Sequence, residues 1–339
     1  MSNRWPGGII RKTPVTPAGP FQDGAASGVW SLADAAYWTK QGLWPIAGNV
    51  LDGTFGVFAL GNASGTAVTT RNKYTYSGCV VSAGGAATTA SYWGSAAGNS
   101  TRGIFALGFI GSGSVATRNK YTYVGCVVSA GTAATSSSSQ GSAAGNSTVG
   151  IFALGCRGFA STNRDKYTYS SDAVSTGGAA TTGNRLGSAT GNSTIGIFAL
   201  GFTTAASTTR NKYTYSNDAV SAGGAATAAS VRGSAAGNST TGIFALGAAC
   251  GVVSTTRNKY TYSGDVVSAG TAATVASFGS SAAGNSTVGI FAIGYNGSAS
   301  VTTRDKYTYS GCVVSAGGAA TTATQDGSAA SNGIAGITL

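Results

Sequence analysis

The chain has 339 residues, of which 42% are hydrophobic and only 9% charged, with 54 glycines and a net charge of +11. It contains no histidine and no glutamate, so all nine acids are aspartates. The commonest general acid–base side chain is therefore missing, together with one of the two carboxylates that replace it. The charged fraction is also far below the usual value of about a quarter.

The first 45 residues hold all five prolines (Pro6, Pro14, Pro17, Pro20, Pro45) and four of the five tryptophans. Residues 1–27 read as an extended Pro/Gly-rich arm. Ser31 can cap a short helix with Asp34 in its first turn, and Gly42 can end it. Trp5, Trp30, Trp38 and Trp44 mark residues 1–43 as a docking arm, because so many large aromatics need a surface that buries them. The residues after Met1 carry no apolar signal core, and no run of about 18 apolar residues occurs. The expectation is a protein made in the cytosol without a signal peptide and without a membrane span.

From residue 44 to 339 one segment of about 47 residues recurs. The Lys-Tyr-Thr-Tyr anchor places Tyr74, Tyr121, Tyr167, Tyr213, Tyr260 and Tyr307 at intervals of 47, 46, 46, 47 and 47. A Gly-Ile-Phe-Ala-Leu-Gly anchor keeps step with it, from Gly56 to Gly289, and degenerates at Gly333–Leu339. Each repeat yields four strand candidates: Gly94–Asn99, Ile104–Leu107, Arg118–Tyr123, and one near Val127-Val128. Strand three alternates, with Arg118 and Lys120 on one side and Asn119, Tyr121 and Tyr123 on the other. Four short strands per unit with glycine turns describe a β-propeller blade. The fold class is therefore all-β. Seven blades are favoured, with Trp44 to Gly61 and Gly327 to Leu339 counted as hairpins, and six are the alternative.

The candidate sites follow from the repeat. Arg71/Lys73, Arg118/Lys120, Arg164/Lys166, Arg210/Lys212, Arg257/Lys259 and Arg304/Lys306 supply 12 of the 20 positive charges. They read as a basic belt on a solvated edge, where charge discourages strand addition, or as a belt that meets acidic neighbours or anionic surface glycan. No nucleic-acid reader motif accompanies them, so nucleic acid is not expected as a partner. Asp165 and Asp305 replace asparagine at one repeat position and read as turn or strand-edge residues. Cys79, Cys126 and Cys312 alternate with Asp172, Asp218 and Asp265 at another, and equivalent positions in separate repeats lie too far apart for disulfides. The aspartates are singletons, so neither metal nor cofactor is expected. The Asn-Ser-Thr runs match a glycosylation sequon but read as hairpin turns.

Variation among the copies is the best functional signal. The turns between strands one and two, and between three and four, hardly change. The connections after strand two and before strand one change freely, and up-down topology puts both at one end of each blade. Tyr92, Trp93, Phe109, Arg157, Arg185, Phe202, Arg232, Phe278 and Tyr295 lie in them and form the candidate binding face.

The pattern resembles kelch repeats. Ile104-Phe105-Ala106-Leu107-Gly108 matches the family's hydrophobic run ending in glycine, and Tyr121 or Tyr123 its spaced tyrosine. Val127 or Val128 replaces its tryptophan, and the double glycine is single. More narrowly, the Gly-Asn-Ser-Thr-x-Gly-Ile-Phe-Ala repeat is similar to structural proteins of tailed bacteriophages, as are Pro6-Gly7-Gly8-Ile9-Ile10 and Ala26-Ser27-Gly28-Val29-Trp30-Ser31-Leu32. That resemblance implies a non-enzymatic virion component, present in multiple copies. Its arm would join other virion proteins and its variable face would bind host surface glycan or protein. The alternative is a decoration protein that binds only neighbouring subunits.

Overall fold

A computed structural model describes residues 31–40, 53–249 and 251–333. Ser31 precedes the helix Leu32–Lys40, and its Oγ accepts the Asp34 backbone N–H at 3.1 Å, as a capping serine should. Trp38 lies on this helix beside Tyr37, and Trp5, Trp30 and Trp44 fall outside the described residues.

Residues 53–333 form six four-stranded antiparallel sheets, the blades of a propeller. Blade 2 shows the plan: Ser95–Gly98, Arg102–Ala106, Arg118–Thr122 and Val127–Gly131, numbered strands one to four in that order. Blades 3 to 6 begin at Ser142, Ser188, Ser234 and Ser281. In blade 1 the innermost strand is Ser328–Ser331, from the other end of the chain, and it pairs with Phe55–Ala59. Arg71–Thr75 and Val80–Ala83 complete that sheet.

The expected seventh blade is thereby corrected to six. The terminal half repeat does not begin a new unit but supplies the strand that the first repeat lacks. The turn that is covalent in the other blades is rebuilt here between two distant segments. Asn332 Oδ1 accepts the Phe55 N–H at 3.0 Å, as Asn99 Oδ1 accepts the Arg102 N–H at 3.0 Å in blade 2. Residues 44–52 and 334–339 of the two proposed hairpins lie outside the described residues.

Strands two and three of every blade are buried on both faces, because each blade packs on a neighbour, whereas the outer fourth strands are largely exposed. In strand two the isoleucine faces the next blade and the phenylalanine the previous one. Ile104 thus joins the cluster with Phe152, Tyr167 and Tyr169 of blade 3, and Phe105 the cluster with Val57 of blade 1. Six such clusters fill the six seams, including the seam between blades 6 and 1. The glycine opening strand two is demanded by the second tyrosine of the anchor. A Cβ on Gly103 would stand 2.9 Å from Tyr123 Oη and 3.1 Å from the Ala330 Cβ of the neighbouring blade.

This burial overturns the arginine half of the basic belt. Arg71, Arg118, Arg164, Arg210, Arg257 and Arg304 are each 1% exposed. Each guanidinium stacks on the strand-two phenylalanine of the next blade, 4.4–4.7 Å from its centroid. Each also donates to the residue after the next blade's arginine: Arg71 to Asn119 at 3.1 Å, Arg118 to Asp165 at 2.7 Å, Arg257 to Asp305 at 2.8 Å. Asp165 and Asp305 are therefore not turn or edge residues but buried counter-charges. Where the partner is asparagine, burial pushes the arginine pKa down to about 10, as at Arg71 and Arg304. The alternation of Asn and Asp is accommodated by one hydroxyl. Thr88 Oγ1 accepts from Asn119 Nδ2, and Thr135 Oγ1 donates to Asp165 Oδ1.

The lysine half is corrected as well, because the same seams take it in. Lys73, Lys120, Lys166, Lys212, Lys259 and Lys306 are all half-buried rather than set on a solvated edge. Three are paired across seams. Lys166 meets Asp218 at 2.8 Å, Lys212 meets Asp265 at 2.5 Å, and Lys120 pairs with Asp172. Lys259 instead faces the Cys312 Sγ at 3.8 Å. Lys73 Nζ lies over the Phe55 ring, 4.2 Å from its centroid. Lys306 sits in the middle of its sheet, opposite Ile290 on one side and Ser315 on the other, and forms no ion pair among the described residues. The repeat position shared by cysteine and aspartate has φ of +51 to +59° in Cys79, Cys126, Asp172, Asp218, Asp265 and Cys312. Cys79, Cys126, Cys156 and Cys312 are free thiols.

Candidate functional site at the variable end of the propeller

Strand topology places the two turns of each blade at one end and its two longer connections at the other. The end with the turns is built from one repeated device. Asn146 Oδ1 accepts Thr148 N, Thr148 Oγ1 and Val149 N, each at 2.9 Å, while its Nδ2 reaches the Ser193 carbonyl of the next blade at 3.0 Å. Asn99, Asn192 and Asn238 repeat this link to the following blade. The sequon-like run is thus a turn that also ties blades together, which explains why it does not vary.

At the other end the variable residues meet in pairs. The residue three before strand one bridges the residue three after strand two of the same blade: Tyr92 to Phe109, Arg185 to Phe202, Phe278 to Tyr295. These bridges bring five of the six variable aromatics into two groups. Tyr92, Trp93 and Phe109 pack at centroid distances of 4.7, 5.3 and 5.9 Å, and Phe278 lies 5.0 Å from Tyr295. Arg185 covers the Phe202 ring at 4.9 Å. Arg157 stands apart from these groups, donating to Ser136 Oγ at 2.5 Å.

The last residue of the variable triplet before each strand one, such as Ser91-Tyr92-Trp93 in blade 2, forms a ring of its own. Gln140 N donates to the Trp93 carbonyl, Leu186 N to Gln140, Arg232 N to Leu186, Gly279 N to Arg232, Asp326 N to Gly279 and Trp93 N to Asp326, at 2.7–2.9 Å. Six blades are thus closed by six hydrogen bonds in a cycle. All six residues have φ between +55 and +63°. The backbone repeats while no two side chains agree.

Sequence reasoning placed Trp93 and Arg232 in the site but missed Gln140, Leu186, Gly279 and Asp326. Their signal was position alone, the last residue of each variable triplet. Asp326, itself a member of the ring, is buried, and burial raises its pKa above the ordinary carboxylate value, against the opposing pull of Arg232, Trp93 and Gln325. Gly279 makes room for it, since a Cβ there would stand 2.8 Å from Asp326 Oδ1.

Among the described residues no cluster of three metal-ligating side chains occurs, and no helix is long and apolar enough to cross a membrane. No protein-family model and no curated protein matches the sequence. Solved structures do. TolB from Acinetobacter baumannii is similar with a TM-score of 0.56 at 11% identity, over 88% of this chain and 70% of that one. YjhT is similar with a TM-score of 0.55 at 9% identity, over 71% of this chain and 87% of that one. At these identities the likeness shows the β-propeller fold alone.

Proposed function

We propose that this chain is a binding propeller that recognises a ligand with its variable end and performs no catalysis. The observation that carries the reading is the axial ring, where one backbone geometry carries five unlike side chains and a glycine. The opposite end repeats one hydrogen-bonding device almost unchanged. A scaffold that holds loop ends rigidly while letting their side chains diverge suits recognition. The resemblance of the repeat and of the N-terminal segment to tailed-phage structural proteins supplies the proposed setting. There the protein would be a virion or tail-fibre component, joined to other virion proteins through residues 1–43 and directed at host surface glycan or protein.

The test is adsorption of host cells by particles carrying Trp93→Ala with Tyr295→Ala, beside a control with Ser100→Ala and Ser147→Ala at the constant end. The reading requires the first pair to reduce adsorption and the second to leave it unchanged; the reverse result would reject it. One feature favours a second reading, a decoration protein packed among neighbouring subunits. The outer strands of four consecutive blades expose Val266, Val313, Val80 and Val127, each 56–57% accessible. Normal adsorption with both pairs altered would favour it.

A further inference from the structure

Arg232 differs from every seam arginine in one respect. Like them it lies over aromatic rings, 5.1 Å from the Phe278 centroid and 5.9 Å from that of Trp93. Each seam guanidinium also has an Asn or Asp acceptor. The Arg232 guanidinium, among the described residues, meets no hydrogen-bond acceptor. Asp326 is near enough to feel its charge but does not pair with it.

Its place is set by the ring. Arg232 belongs to blade 5 and Trp93 to blade 2, three positions apart in a circle of six and so diametrically opposite. A side chain of one that reaches the ring of the other lies across the mouth of the propeller axis. Stacking occupies the faces of a guanidinium and leaves its in-plane N–H donors available, in the fork that matches a carboxylate. In the adjacent blade Arg185 repeats the arrangement, stacked on Phe202 with no acceptor for its guanidinium among the described residues. On either side the Tyr92–Trp93–Phe109 and Phe278–Tyr295 groups offer rings of the kind that pack against the C–H face of a sugar.

We propose that the variable end binds an acidic saccharide, with a carboxylate received by Arg232 at the axis and a second anionic group by Arg185. This rests on the binding reading above and names the ligand class for the same face. The anion supplies the acceptor that the seam arginines find within the protein. Its in-plane fork makes Arg232 a specificity residue for charge, and the flanking rings make the site one for a sugar rather than an acidic peptide.

Calorimetric titration of the full chain with tri-galacturonate, maltotriose and tetra-glutamate tests it. Tri-galacturonate should bind at least about tenfold more tightly than either of the others. Arg232→Gln should remove that preference, and Arg232→Lys should recover little of it, because an ammonium cannot form the fork. Arg185→Gln should weaken binding less. A thermal melt of each variant confirms that the fold is kept, since Arg232 makes its ring contact through the backbone. Equal binding of the acidic and neutral sugars, preference for the peptide, no binding of tri-galacturonate, or unchanged binding by Arg232→Gln would each overturn the proposal. If the Trp93/Tyr295 pair abolishes adsorption while Arg232→Gln leaves it intact, the face is a binding surface but its ligand is not an acidic saccharide. If neither change affects adsorption, the binding reading itself fails.

Discussion

The two ends of this propeller solve opposite problems. At the turn end, each asparagine satisfies its own hairpin and the next blade at once, so a change there costs two sets of contacts. At the variable end, the six bonds of the ring run from backbone N–H to backbone carbonyl. The ring side chains are spared that work and can differ. The lesson is that a repeat protein diversifies where its cohesion is carried by main chain, and stays uniform where cohesion is carried by side chains.

The largest effect should come from breaking the closure that both ends depend on. Removing residues 327–339 deletes the innermost strand of blade 1 and exposes Val57 and Phe58, both 0% accessible in the closed ring. Cooperative thermal unfolding, followed by circular dichroism, should be lost. A retained sharp transition would mean that blade 1 folds without its C-terminal strand.

Next in size is the seam. Asp165→Ala leaves Arg118 buried without a counter-charge and should cost about 3–5 kcal/mol in urea unfolding. Asp165→Asn should cost far less, because asparagine already serves Arg71 and Arg304 at the same position. Equal losses for the two variants would show that the seam depends on charge.

At the turn end, Asn192→Ala removes the acceptor of Thr194 and Ile195 N–H groups and the link to Ser239, and should cost about 1–2 kcal/mol. The second tyrosines of the anchor sharpen the distinction between a paired and an unpaired hydroxyl. Tyr76 Oη donates to Ser331 Oγ at 2.9 Å, whereas Tyr169 Oη has no partner among the described residues. Tyr76→Phe should cost about 1 kcal/mol and Tyr169→Phe close to nothing, or should stabilise. Chemical denaturation of the pair measures the difference directly.

The smallest and most diagnostic contrast is in pH. Burial raises the Asp172 and Asp265 carboxyls, but bonds from Lys120 with Tyr167, and from Lys212 with Tyr260, outweigh it and leave both below their ordinary value. A carboxyl depressed in the fold contributes stability that is present above its unfolded value, 3.8, and is lost as pH falls through the folded one. Asp326 has the opposite sign. Its folded value is raised, so its contribution weakens stability as pH rises from the unfolded value through the folded one. Midpoints recorded from about pH 3 to about pH 7 should fall at neutral pH for Asp172→Asn and rise there for Asp326→Asn.

Much of this was legible in the residues. The 47-residue period gave the blade, the period-two alternation of Arg-Asn-Lys-Tyr gave the two faces of strand three, and the uneven variation separated the ends. Blade number was not, because it depends on whether the terminal half repeat starts a unit or completes one, and only the pairing of Ser328–Ser331 with Phe55–Ala59 decides it. The basic residues were misplaced because alternation normally separates solvent from core, whereas both faces of strand three are core. The axial ring escaped because its six members share a backbone conformation and no side-chain chemistry.

If main chain holds the ring together, the identity of the ring side chains should not matter to folding. Replacing every variable triplet before strand one with the Ser138-Ser139-Gln140 of blade 3, and recording one thermal unfolding curve, decides the point. A single cooperative transition, shifted by no more than a few degrees, is expected. Loss of that transition would mean that the unlike side chains of the ring support the fold, and would contradict main-chain cohesion at this end.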